Sequence, residues 1–189
     1  MKVDIAQELD HSSTLLLVMP ISEYCKNTCE IVKNLSGKNV CYFTLNKTYL
    51  ALQEIFKRNK VSFKNIVFVD IISKIIEDAP DQTDGAYFSN QNKLLSKINL
   101  FVEKFLRHNF DYIIFDSITD LMTYQKRKDV ADLVSKIAKK VKKSKTKAVF
   151  YAINSSKKRD DFIKESVKVL GNVIYCERDS KVKKKISKT

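Results

Sequence analysis

Two kinds of segment alternate along the chain, and their hydrophobic patterns differ. Short runs rich in β-branched and aromatic residues are separated by longer segments in which apolar residues recur with the period of a helix. Several of the short runs are continuously apolar, which is typical of strands that helices cover on both faces. The pattern predicts a parallel sheet built from βαβ units, with six strands at Thr14–Met19, Asn39–Leu45, Asn65–Asp70, Asp111–Asp116, Lys147–Ile153 and Asn172–Cys176.

The segments between these strands predict five helices, each with one apolar face that can pack on the sheet. Asn90 and Ser156 stand where N-cap residues are favoured, and Gly37 and Gly171 where a left-handed residue ends a helix. The stretch Ala79–Ser89, with a proline and a glycine, is expected to be a loop. The predicted helices are Ser22–Leu35, Thr48–Asn59, Gln91–His108, Arg127–Val141 and Lys157–Val169.

A chain of 189 residues is long enough for one domain with its own core. We expect this domain over residues 1–177 and a basic, disordered tail over 178–189. No apolar stretch reaches the roughly 20 residues of a membrane span, and the acidic start does not resemble a signal peptide. The expected location is therefore cytoplasmic.

Cysteine usage favours reduced, buried thiols over a metal site or a disulfide framework. The four cysteines have no framework spacing, and only two histidines, His11 and His108, are present. Cys25 and Cys29 would share a helix face, but a second close pair of ligands is missing. We expect no metal ion and no bound cofactor.

The net charge of +13 is concentrated in two segments. Lys136–Lys147 contains seven lysines and no acid, and 178–189 contains six bases and one acid. The rest of the chain is nearly neutral, so the basic character is local. Such segments can contact phosphates, or they can simply form a solvated surface.

The fourth predicted strand ends in an acidic residue, in the sequence DYIIFDSITDL. Open α/β sheets bind ligands at the carboxyl ends of their strands, and nucleotide hydrolases place an aspartate there that holds Mg²⁺ through water. Asp116 is therefore a candidate binding residue, although an aspartate at this place can also simply cap a turn.

The order of elements from TLLLVM to NVIYCE, with the Asp116-Ser117 pair, resembles the RecA-like domain of the KaiC and RadA group, archaeal members included. The resemblance covers roughly Thr14 to Glu177. It implies an α/β fold, a three-layer RecA-like domain of the P-loop NTPase type, with a mainly parallel central sheet of about six or more strands. It also implies nucleotide-binding roles for Lys26, Asp116 and Ser117.

Two departures from the family pattern concern its chemistry. Where the family has the glycine-rich phosphate loop, this chain has PISEYCKNT, in which only Lys26 matches. Without glycine the loop lacks the residues that take up left-handed backbone at low cost and form an anion nest. Where the family has an acidic general base after the second strand, this chain has Asn46 and Lys47, and an amide cannot accept the proton.

Three functions are compatible with these features. The first is a catalytically inactive protein that acts as a binding or regulatory subunit of a related RecA-like ATPase or by self-association, and it has no catalytic residues. In this case Asp116 would be a structural acceptor of hydroxyl or backbone donors or of Lys26, under a groove filled by Tyr24. The second is an ATPase that binds ATP through a divergent loop.

The third is a nucleic-acid-binding accessory protein. In recombinases of the family that this chain resembles, the loops after the fourth and fifth strands contact DNA. The corresponding basic residues and those of the two charged segments are Lys126, Arg127, Lys128, Lys139, Lys140, Lys143, Lys157, Lys158, Arg159, Lys183, Lys184 and Lys185.

Overall fold

The computed structural model describes residues 4–76, 80–89, 93–176 and 182–187; of Lys158 and of 182–187 it describes the backbone only. One nine-stranded sheet runs through the molecule in the order β4-β5-β3-β2-β6-β7-β1-β8-β9. Its strands are β1 (Thr14–Pro20), β2 (Val40–Thr44), β3 (Ile66–Asp70), β4 (Gln82–Thr83), β5 (Ala86–Phe88), β6 (Tyr112–Asp116), β7 (Lys147–Asn154), β8 (Asn172–Cys176) and β9 (Val182–Ser187).

The seven strands from β5 to β8 in this order are parallel, and only β4 and β9, at the two ends of the sheet, run antiparallel to their neighbours. The register pairs Thr44 at the end of β2 with Asp116 at the end of β6. The carboxyl ends of the parallel strands therefore meet at one edge of the sheet, which we call the carboxyl edge. The opposite edge is the amino edge.

Helices cover both faces of the sheet. One apolar cluster packs α2 and α3 on strand residues such as Leu17 and Tyr42, and the other packs α5, α6 and α7 on their neighbours Leu16 and Phe43. The α/β architecture predicted from the hydrophobic pattern, and the three layers that the family resemblance implies, are confirmed. The helices are α1 (Ile5–Glu8), α2 (Tyr24–Asn34), α3 (Tyr49–Arg58), α4 (Ser73–Ile76), α5 (Leu94–Arg107), α6 (Arg127–Lys142) and α7 (Lys157–Val167).

All six predicted strands are present, and their ends differ from the prediction by one residue at most. Ser156 caps α7, since its hydroxyl accepts a hydrogen bond from Arg159 N at 3.4 Å, and Gly37 is left-handed with φ +81°. The proposed cap Asn90 lies outside the described residues. Cys25 is exposed, contrary to the expectation of four buried thiols, because it lies on the outer face of α2.

Three local predictions differ from the structure. The expected loop Ala79–Ser89 contains the hairpin β4–β5, whose strands are too short to show a period. Val182–Ser187, expected in a disordered tail, pairs with β8 as β9. Gly171 is not left-handed; a Cβ there would lie 1.9 Å from Ser12 Oγ, so close packing, not a helix end, requires glycine.

In the part of the chain that the structure describes, no helix has the length and the apolar character needed to cross a membrane.

Candidate functional site

Asp116 ends β6 at the carboxyl edge and is completely buried. Its two carboxylate oxygens accept hydrogen bonds from two tyrosine hydroxyls, Oδ1 from Tyr24 and Oδ2 from Tyr42. Tyr24 begins α2 and is 4% exposed, and Tyr42 is a fully buried residue of β2. Both oxygens of the candidate magnesium-binding carboxylate are thus occupied by hydroxyl groups of the protein itself.

Burial dominates the electrostatics of this group. It raises the pKa of Asp116 to about 6, although the two tyrosine hydroxyls and the nearby Lys47 act in the opposite direction. Burial and the negative charge of Asp116 also raise the pKa of both Tyr24 and Tyr42 well above the usual value of 10. At neutral pH the tyrosines are therefore donors and Asp116 is mainly an ionised acceptor.

A second carboxylate, Asp120, ties the neighbouring connections together. Its Oδ2 accepts from Ser117 Oγ at 2.5 Å and from Asn46 Nδ2 at 3.0 Å, and its Oδ1 accepts from an Arg159 guanidinium nitrogen at 2.7 Å. Asn46 follows β2 and Arg159 lies in the first turn of α7. The network therefore links the ends of β2 and β6 to α7, and Asn46 serves as a donor where an acidic base was expected in an active relative.

The turn from β1 into α2 is where the family resemblance places a phosphate loop. β1 ends at Pro20, one turn of 3₁₀ helix covers Ile21–Glu23, and α2 starts at Tyr24. Within this turn, all of which is described, no residue has a positive φ. Its backbone N–H groups therefore continue into a helix and do not form a left-handed nest.

Lys26 does not reach Asp116. Its side chain is 58% exposed and its nearest acidic partner is Glu23, with Nζ 3.9 Å from the carboxylate. The cation that does lie near Asp116 is Lys47, whose Nζ is 4.0 Å from the centre of the Tyr24 ring. Of the partners predicted for Asp116, the structure supplies hydroxyl donors and not Lys26, and Tyr24, which was predicted to fill the groove, is one of these donors.

The predicted nucleic-acid residues fall into two groups. Arg127 pairs with Glu165 at 2.9 Å, Lys140 with Glu103, and Arg159 with Asp120. These three cations are therefore engaged in ion pairs with the protein's own carboxylates. The others whose side chains are described are exposed: Lys126, Lys128, Lys139, Lys143 and Lys157. The side chains of Lys158, Lys183, Lys184 and Lys185 lie outside the description, the last three on β9.

Three residues of this edge were missed from the sequence. Tyr42 and Asp120 complete the Asp116 cluster, and Asp70, at the end of β3, accepts hydrogen bonds from three backbone N–H groups. Asp70 ends β3 just as Asp116 ends β6, and that shared position could have identified it; Asp120 lies in the turn beyond β6 and has no such signal. Tyr42 gave no such signal, because a tyrosine inside an apolar strand is ordinarily a core residue.

Across the described ranges no group of three or more histidines, cysteines or acidic residues is arranged to hold a metal ion.

No family model and no curated protein matches the chain. Solved structures do match. A KaiC-like protein of the hyperthermophilic archaeon Pyrococcus horikoshii OT3 superposes with a TM-score of 0.58 at 13% identity, over 90% of this chain and 74% of that chain. The chain has a RecA-like fold of the KaiC type.

A second structure with this RecA-like fold is an uncharacterized protein from Pyrococcus horikoshii in complex with an unknown peptide. It superposes with a TM-score of 0.65 at 13% identity, over 89% of this chain and 82% of that chain. At this identity the likeness concerns the fold alone. The function of this RecA-like chain must be argued from its own residues.

Proposed function

We propose that the chain is a RecA-like protein that does not hydrolyse ATP and that acts as a binding or regulatory subunit. The observation that carries the proposal is the pair of tyrosine hydroxyls on Asp116. In nucleotide hydrolases the corresponding carboxylate needs water and Mg²⁺ beside it. Here Asp116 has no exposed surface, and Tyr24 lies where the resemblance places the phosphate loop.

Two further features support a closed nucleotide site. Lys26 turns to solvent and to Glu23, and the turn before it offers no left-handed backbone. Asn46 donates to Asp120 and has no basic lone pair with which to activate water. Phosphate binding would need the loop and Lys26, metal binding would need Asp116, and proton abstraction would need an acid in place of Asn46. Lys26 and Asp116 are engaged with other residues, and the loop glycines and the acid are missing.

A role in protein binding is supported by apolar side chains around the closed site. Ile21, Leu50 and Ile76 are 70%, 60% and 69% exposed, and they lie on the connections that leave β1, β2 and β3. Exposed apolar groups gathered at one edge are typical of interaction surfaces. The partner that the resemblance favours is a related, active RecA-like ATPase, which would contact this carboxyl edge.

Turnover tests the loss of catalysis directly. The purified protein should release no phosphate from ATP and Mg²⁺ above the background of a preparation of the Asp116→Ala variant. Turnover in the wild-type protein that the variant loses would contradict the proposal.

The binding role is tested by sedimentation velocity with a RecA-like ATPase from the same organism. A complex should form with the wild-type chain and be lost in an Ile21→Ser, Leu50→Ser double variant, since both side chains would be buried by the partner. Leu100→Ser is the matched control, because Leu100 is 62% exposed but lies on α5. A complex lost equally in both variants, or in neither, would place the interface elsewhere.

A further inference from the structure

A cleft of about 730 Å³ opens at the amino edge of the sheet, at the opposite end of the strands from Asp116. Its walls are the loop Asp10–Ser13 with the first residue of β1, the second half of α6, the start of β7 and the segment Val169–Gly171 before β8. β7, β1 and β8 are neighbours in the sheet, so their starts form a continuous floor. We call this feature the amino-edge cleft.

Lysine side chains supply most of the charge in the lining of the amino-edge cleft. Lys139 and Lys142 reach it from α6 and Lys147 from β7, with His11 on the facing loop, and Asp10 is the one acid among the described residues of the lining. Lys147 Nζ donates to the backbone oxygen of Ser12 at 3.2 Å and so holds this loop against the wall. Lys139 and Lys142 are both exposed, and neither side chain forms a hydrogen bond or ion pair with another of the described residues.

The positive surface continues beyond the amino-edge cleft. Lys136, Lys143 and Lys145 belong to the same acid-free run and are exposed. The β8–β9 pairing sets Ser187 opposite Asn172, so the backbone of β9 reaches the amino edge next to the cleft wall. A charged surface longer than the cleft itself fits an extended polyanion better than a small anion.

The shape and lining of the cleft favour a strand of nucleic acid over a membrane. A bilayer surface is met by an amphipathic face that inserts apolar groups, whereas this surface is concave and includes the polar residues Ser12, Ser13 and Ser135 in its lining. Among the described residues that line it, His11 carries the one aromatic ring and none is Phe, Tyr or Trp, so the cleft offers no large aromatic platform on which bases could stack. Lysines and hydroxyls contact phosphates and carry no sequence information.

We propose that the amino-edge cleft binds the phosphodiester backbone of a nucleic acid without reading its sequence, with Lys139, Lys142 and Lys147 as the contacting cations. This site does not depend on the function proposed for the carboxyl edge. It also differs from the loops after β6 and β7 that the family resemblance suggested, where Arg127 and Arg159 are engaged in internal ion pairs.

The test is a fluorescence-anisotropy titration of labelled mixed-sequence single-stranded and duplex DNA at several salt concentrations. The Lys139→Glu, Lys142→Glu variant should bind about tenfold more weakly or worse, and its salt slope should fall by about two, because two phosphate contacts are lost. The control is Lys33→Glu, Lys57→Glu, which changes the net charge equally on the exposed surfaces of α2 and α3.

Circular dichroism melts check that both variants fold. If the Lys139→Glu, Lys142→Glu variant does not fold, the Lys139→Gln, Lys142→Gln variant gives the same test with a smaller expected loss of DNA affinity. Equal weakening by the cleft variant and the control would mean that only net charge matters, and the proposal would be overturned. Binding to anionic lipid vesicles with no binding to DNA would overturn it as well.

Discussion

At the scale of single residues, two tyrosine hydroxyls stabilise a buried carboxylate. Removing a charge from water is costly unless hydrogen bonds compensate for it. Tyr24 and Tyr42 donate to the two oxygens of Asp116, while the hydroxyl of the equally buried Tyr151 has no hydrogen-bond partner among the described residues. The three tyrosines therefore offer a matched comparison.

Tyr24→Phe should lower the free energy of unfolding at pH 7.5 by about 2 kcal/mol, because a hydrogen bond to a charged group is lost. Tyr151→Phe removes a hydroxyl that has no such bond and should change the stability little. Urea unfolding of the two variants measures both values. Equal losses would mean that the hydroxyl of Tyr24 does not stabilise Asp116.

The stability should also depend on pH through Asp116. Because burial raises the pKa from 3.8 to about 6, the folded state binds the proton more tightly than the unfolded state. Its contribution to stability is thus fully present below about pH 4, falls between pH 4 and 6, and is absent above. Relative to Asp116→Asn, the wild type should lose roughly 3 kcal/mol over this window. A difference between the two proteins that stays constant from pH 4 to 7.5 would contradict a raised pKa.

Sequence reasoning found only part of this cluster. Asp116 was predicted from its place at a strand end, and Tyr24 from its place in the loop that lacks glycine. Tyr42 and Asp120 were not, because their roles depend on the lateral pairing of β2 with β6 and on the fold of the turn after β6. Neither relation is encoded in local periodicity.

At the scale of elements, Asp70 connects three segments. Its Oδ2 accepts from Tyr49 N at 2.6 Å at the start of α3, and its Oδ1 accepts from Ile72 N at 2.7 Å and Ser73 N at 2.9 Å at the start of α4. The N–H groups at a helix start lack partners within the helix, so one carboxylate satisfies donors of two helices.

Asp70→Ala should therefore destabilise the protein by about 3 kcal/mol or more, since it leaves buried donors without a partner. Asp81→Ala is the control. Asp81 pairs with Lys74 on the surface, and loss of an exposed ion pair changes stability little. Thermal unfolding of both variants decides the point, and similar melting temperatures would refute the role given to Asp70.

The elements that sequence predicted well are those with long apolar patterns. Strands and helices that pack on the core show a period over many residues, whereas the hairpin β4–β5 offers only five strand residues. Its signal was the dipeptide Asp84-Gly85, a favoured hairpin turn, and Gly85 is left-handed with φ +80°. β9 was hidden because its lysines resemble a solvated tail.

At the scale of the whole molecule, the two edges of the sheet differ in character. The carboxyl edge holds a closed carboxylate cluster beside exposed apolar side chains, and the amino edge holds the basic cleft. The sequence showed where lysines are concentrated along the chain. It could not show that α6, β7 and the loop Asp10–Ser13 meet, because this follows from the strand order β7-β1-β8.

Calorimetric titration of ATP with Mg²⁺ tests the central claim most directly, namely that the nucleotide site of this RecA-like fold is closed. We predict no heat beyond dilution and no change of the melting temperature at saturating nucleotide, because Tyr24 and Tyr42 occupy the oxygens of Asp116. Saturable binding that Asp116→Asn abolishes would contradict the claim and identify the protein as a nucleotide-binding relative with a divergent loop.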